Sequence, residues 1–198
     1  STLQKEIRRG NSENAVMIAY EMLSTSPELE EKLWQRLVPL AAAVSLFLAT
    51  IEYIIPRPLP FLRLGLANLP LLLTLDLLPP VPFLLLIGLK ILGQSLIQGS
   101  LFSVIFLFSA AGNLAGGLLM YGAYRLFAGR MSLIGISILG ALASNLSQLA
   151  LARVFVFGPS AWLIAPPFLL VGLVTSIALG IAAQQYRKRS VWLKKVAR

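Results

Sequence analysis

The chain has 198 residues, 57% of them hydrophobic and only 13% charged, with a formal net charge of +9 and neither cysteine nor histidine. Soluble domains carry about 45–50% apolar and about 25% charged residues, so lipid is the expected solvent, and a soluble enzyme or a nucleic-acid-binding domain is excluded. Without cysteine there is no disulfide framework or thiol nucleophile; without histidine there is no imidazole base, haem ligand or ordinary zinc site.

In chain order, residues 1–36 read as a cytoplasmic amphipathic segment. Ala15, Ile18, Ala19, Met22 and Leu23 recur at helical spacing behind an N-cap at Ser12. Ser26-Pro27-Glu28 opens a second helix with a cap, a proline at the first position and an acid in the first turn, and this helix runs through Trp34 into the first span. The first long apolar run begins only near Leu37, so no signal peptide is expected. Six membrane helices of ~20 residues each are expected across 37–184. They cover roughly 37–55, 61–78, 81–98, 101–127, 131–157 and 161–184, punctuated by Pro56-Arg57-Pro58-Leu59-Pro60, Pro79-Pro80, Gly99-Ser100 and Gly158-Pro159-Ser160. The prolines before the second span leave five or seven helices as alternatives. Residues 185–198 form a basic tail with Trp192 as an interfacial anchor. The expected fold class is all-α, a polytopic membrane protein.

Orientation is set by lysine and arginine placement. With six spans, one side receives Lys5, Arg8, Arg9, Lys32, Arg36, Arg125, Arg130 and the basic tail, and the other only Arg57, Arg63 and Arg153. Both termini are therefore expected in the cytoplasm.

An ionisable group at membrane depth is costly and by default marks a functional site. Lys90 lies mid-span, and Gln94 and Gln98 continue its stripe at i+4 and i+8. Asn145, Gln148 and Arg153 form a second series, Asn113 lies in the fourth span, and Glu52, Arg57, Arg63 and Asn68 come from the outer side. Asp76 alone sits low, where a helix-end role is expected. The asymmetry describes a pocket open outward and sealed toward the cytoplasm. Each Asn or Gln could equally bond one helix to another, worth ~0.6–2 kcal/mol. Small residues form ridges at Ala41, Ser45 and Ala49, at Gly112 and Gly116, and at Gly172, Ser176 and Gly180. Internal packing explains most such ridges, while the first is smooth enough to face another subunit.

Enzyme readings do poorly. Magnesium-dependent prenyl transfer needs clustered carboxylates, and the membrane region offers only Glu52 and Asp76, near opposite faces. No catalytic residue, cofactor or metal site is expected.

Three motifs carry a family resemblance: Pro56-Arg57-Pro58-Leu59-Pro60-Phe61-Leu62-Arg63-Leu64-Gly65-Leu66-Ala67-Asn68, Gln98-Gly99-Ser100-Leu101-Phe102-Ser103, and Gly140-Ala141-Leu142-Ala143-Ser144-Asn145-Leu146-Ser147-Gln148-Leu149. Together they resemble the bacterial Gx transporter family, also labelled heptaprenyl diphosphate synthase component I, over roughly 38–184. One departure is Ser144, where a histidine is expected, so a role resting on that imidazole does not carry over. The family is similar in layout to the S-components of energy-coupling factor (ECF) vitamin transporters. That resemblance implies a six-helix bundle in the bacterial cytoplasmic membrane. It implies a ligand pocket lined by Lys90, Gln94, Asn113, Asn145, Gln148, Arg153 and Glu52, with Arg57 and Arg63 at its lid. It also implies a docking ridge of Ala41, Ser45 and Ala49 for a transmembrane subunit driven by two ATPases. The leading expectation is uptake of a small anionic or amphipathic ligand, vitamin-, flavin- or quinone-precursor-like. The alternative is a non-catalytic accessory subunit of a prenyl diphosphate synthase or redox assembly. A stand-alone carrier is weakest, because no inverted repeat is evident.

Overall fold

Ala15 and Ala19, one helical turn apart, are buried with Leu3 and Leu33, so the N-terminal stripe is a packed face. The structure, a computed structural model, describes residues 2–10, 12–54, 65–127 and 130–189. Its N-terminal segment comprises α1 (Thr2–Arg8), which the periodicity did not announce, and α2 (Ser12–Thr25). Helix α3 (Pro27–Ile54) starts as expected: Ser26 Oγ accepts the Leu29 N–H at 3.3 Å, and Glu28 and Glu30 occupy the first turn. It then continues unbroken into the apolar run.

Among the described residues every regular element is helical. Four helical stretches are long and apolar enough to cross a membrane: Pro27–Ile54, Pro80–Ile97, Val104–Phe127 and Leu133–Arg189. Large apolar side chains stand exposed on their outer faces, such as Leu40, Val44, Phe47 and Ile51 on α3. Such an apolar exterior belongs in lipid.

The expected span at 61–78 is corrected. Residues 61–64 lie outside the described residues, and the rest of that stretch holds a 3₁₀ turn (Leu66–Asn68) and the six-residue helix α4 (Leu69–Thr74). Gly65, at φ 75°, sets the turn that precedes them, and Pro79, with extended backbone, precedes the next helix. A helix of six residues is about 9 Å long and crosses nothing alone. Instead, Leu71, Leu72, Leu75 and Leu78 are almost wholly enclosed and form the centre of the core, with Phe83, Leu86, Ile87, Met120 and Ile136 around them. Irregular backbone at membrane depth is tolerated where protein surrounds it, as here.

Helix α5 (Pro80–Ile97) ends where Gly99, at φ 63°, lets the Ser100 N–H reach Ser95 O and the Gly99 N–H reach Leu96 O. These paired bonds satisfy the last carbonyls of the helix. The return helix α6 (Val104–Phe127) packs antiparallel to α5, with Gly117 against Ile87 and Asn113 against Lys90. Ser132 caps α7 (Leu133–Ala152) by accepting the Gly135 N–H at 3.2 Å. A π turn (Arg153–Phe157) and a 3₁₀ turn (Gly158–Ser160) then lead into α8 (Ala161–Arg189). The pairings Gly180–Ile134, Ser176–Ser137 and Gly172–Asn145 make α7 and α8 an antiparallel hairpin.

The small-residue ridges are internal seams. Gly112 and Gly116 meet α7, and Gly172, Ser176 and Gly180 meet it from α8. The docking ridge is a second correction. Ser45 and Ala49 are buried and Ala41 is half-buried against the chain's own core. Helix α3 turns this stripe inward because it can pack closely there, and it turns its large side chains outward to lipid.

Candidate functional site

Lys90 is 2% exposed, on the α5 face turned toward α4 and α6. Its Nζ donates to Asn68 Oδ1, at the end of the 3₁₀ turn, and to Asn113 Oδ1 of α6 at 2.8 Å. The Asn113 amide is itself oriented, since its Nδ2 donates to Ser109 O at 2.8 Å. Three elements thus converge on one nitrogen. Glu52, also 2% exposed, comes from the last turn of α3 and accepts the Gly65 N–H at 3.1 Å.

Glu52, Lys90, Gln94, Asn113, Asn145 and Gln148 line a single cavity of about 70 Å³. Six side chains picked from four separated stretches of sequence therefore share one chamber. Its remaining polar lining includes Asn68, which the sequence places among the outer-side polar groups, and Ser137, Ser144, Thr175 and Ser176, which were not among the expected site residues. A signal existed for two of the helices. Ser137, Ser144, Asn145 and Gln148 follow a helical face, as do Phe168, Gly172, Thr175 and Ser176, but the latter stripe reads equally well as packing. The hydrophobic core around Leu71, Leu75, Phe83 and Met120 fills the bundle between this chamber and the end bearing Asp76. The chamber is thereby closed on that side.

One expected residue, Arg153, stands apart from the chamber. Arg153 is exposed in the π turn, with its guanidinium carbon 5.9 Å from the Trp162 ring centroid, and it does not line the chamber. Five residues separate it from Gln148, which turns it about 140° around a helix. Arg57 and Arg63 lie outside the described residues. Asp76 pairs through Oδ2 with Arg187 of α8, tying the turn after α4 to α8 at the far end. Asp76→Asn should lower the melting temperature by a few degrees, as expected for a partly exposed pair worth about 1–2 kcal/mol. Ligand retention should be unchanged. Unchanged melting in a thermal scan would show the pair to be inert.

A multi-pass bundle of apolar helices enclosing a polar chamber around a buried lysine defines a membrane protein. Residues 41–186 match the family described as heptaprenyl diphosphate synthase component I, nearly three quarters of the sequence. The chain belongs to that family. Neither a curated protein nor a solved structure matches it.

Proposed function

We propose that the chain is a membrane-embedded binding subunit, similar to the S-components of ECF transporters. It captures a small vitamin-, flavin- or quinone-precursor-like ligand and carries it inward. One observation carries the proposal: a lysine at membrane depth, held by Asn68 and Asn113 at the edge of a polar chamber. A group so costly to bury is retained where it is used. In this reading the chain crosses the membrane an even number of times. Both termini are cytoplasmic, and Arg57 and Arg63 lie at the opposite surface.

The chain is taken to be non-catalytic. Metal-assisted prenyl transfer needs carboxylates gathered at one place, whereas Glu52 faces the chamber and Asp76 pairs with Arg187 elsewhere. The family description favours a second reading, an accessory subunit of a prenyl synthase. Because Ser45 and Ala49 are covered, coupling to a transmembrane subunit and its ATPases would use another surface of the bundle.

Native mass spectrometry of the gently purified full chain separates the two. A stoichiometric small ligand, with or without coupling subunits, is the expected result. A synthase subunit recovered with no small ligand would overturn it in favour of the accessory role.

A further inference from the structure

Beside the polar chamber lies a second cavity of about 310 Å³, walled by apolar side chains of α6, α7 and α8 that include Ile105, Leu149, Ala152 and Ile164. Gln148 and Phe168 line both cavities. The Gln148 amide donates to Ser144 Oγ at 3.1 Å on the polar side. Phe168 is buried on α8, directly after Pro166 and Pro167. Those prolines deprive the preceding turn of its helical N–H donors and leave this part of α8 compliant. The partition between the cavities is therefore an amide and a phenyl ring.

The chemistry of each half is legible. The polar half, at about 70 Å³, has room for about two waters and so admits only a compact group. Its charged lining among the described residues is one lysine and one glutamate, which suits a head group neutral overall. Gln94 is 5% exposed, and its Oε1 is buried with no hydrogen-bond partner among the described residues. A buried acceptor of that kind calls for an N–H or O–H donor. The apolar half has about twice the volume of a cavity that takes up benzene, about 150 Å³.

We propose that, given the chamber as a ligand site, the two cavities are halves of one amphipathic site. A compact neutral head carrying both a donor and an acceptor sits by Gln94 and Lys90. An apolar body of about two rings lies between α6, α7 and α8. Gln148 and Phe168 form the waist where head joins body. A lipid tail would suit the apolar walls alone. The shared waist and the donor-seeking Gln94 favour a single ligand reaching through both.

Naphthamide has this form, with an amide head and a two-ring body. Its binding to the full chain in nanodiscs, with empty nanodiscs subtracted, tests the proposal by titration calorimetry. Wild type should bind it, and Gln94→Leu and Ile164→Trp should each weaken it at least tenfold. Should Ile164→Trp fail to fold, Ala152→Phe fills the same cavity. Absence of binding to wild type would overturn the proposal. Binding that survives both cavity-filling variants would overturn it too, and its loss in Lys90→Met would then still uphold the polar chamber as a site. Indifference to Lys90→Met as well would bring down both readings.

Discussion

Replacing Lys90 with methionine should strip the purified protein of its ligand while leaving its melting temperature within a few degrees of wild type. The expectation comes from two opposing effects on stability. Methionine keeps most of the side-chain volume, so little cavity is created. The substitution leaves Asn68 Oδ1 and Asn113 Oδ1 without their donor. Interhelical hydrogen bonds in membranes average about 0.6 kcal/mol, and bonds to a charged group about 1.5–3 kcal/mol. Against that loss, the variant no longer holds an ammonium away from water, a penalty of several kcal/mol. The two nearly cancel.

Ligand binding has no such offset. Losing one charge-assisted hydrogen bond of about 3 kcal/mol lowers affinity about a hundredfold. Thermal scanning and native mass spectrometry of the same sample read the two effects separately. A large drop in melting temperature with the ligand retained would make Lys90 a structural clasp between α5, α6 and the 3₁₀ turn. Gln94→Leu, on the same face one turn away, should behave like Lys90→Met but more weakly.

How far the sequence carried depended on the distance over which each interaction is decided. The Ser26 cap, the α2 stripe and the position of α5 are local matters of spacing and punctuation, and they are legible. The convergence of Glu52, Lys90, Gln94, Asn113, Asn145 and Gln148 was also legible, because in lipid each polar residue is conspicuous. What escaped is tertiary. Asn68 stands 22 residues from Lys90 in sequence, and nothing local announces their pairing. The second span read as a full crossing on its leucines, yet those leucines are enclosed by the chain itself. Hydropathy cannot separate the two cases, since lipid and protein core are equally apolar. The same ambiguity hid the direction of the Ala41, Ser45 and Ala49 ridge, whose spacing defines a face but not what covers it. Arg153 was misplaced by helical phase: lying near the right depth says nothing about which side of the helix a residue occupies.

A large effect on folding is expected at Gly116, where α6 packs directly on α7 backbone. A Cβ there would stand 2.8 Å from the Gly140 carbonyl oxygen and 3.2 Å from Ser144 Cβ. The carbonyl belongs to α7 backbone and cannot rotate aside, so any side chain must push the helices apart. Association of helices in lipid rests on such close packing. Gly116→Leu should cost about 3 kcal/mol or more, at the upper end of overpacking effects, and leave little folded protein in detergent. Gly117→Ala makes a useful contrast, because its Cβ would press chiefly on Ile87 Cδ1, at 2.6 Å, the movable end of a side chain. It should lose much less. At Gly122 nothing lies within 4 Å of the added carbon, so Gly122→Ala should gain about 0.5–1 kcal/mol from helix propensity. Gly116 also sits one turn from Gly112, over which the Gln148 amide packs. Displacing α7 must therefore move Gln148 and Ser144, and with them one wall of the chamber. Even the milder Gly116→Ala should weaken ligand retention along with stability, whereas Gly117→Ala should spare retention. If detergent melting curves ranked the three sites in any other order, the seam between α6 and α7 would not be what holds the chamber in shape.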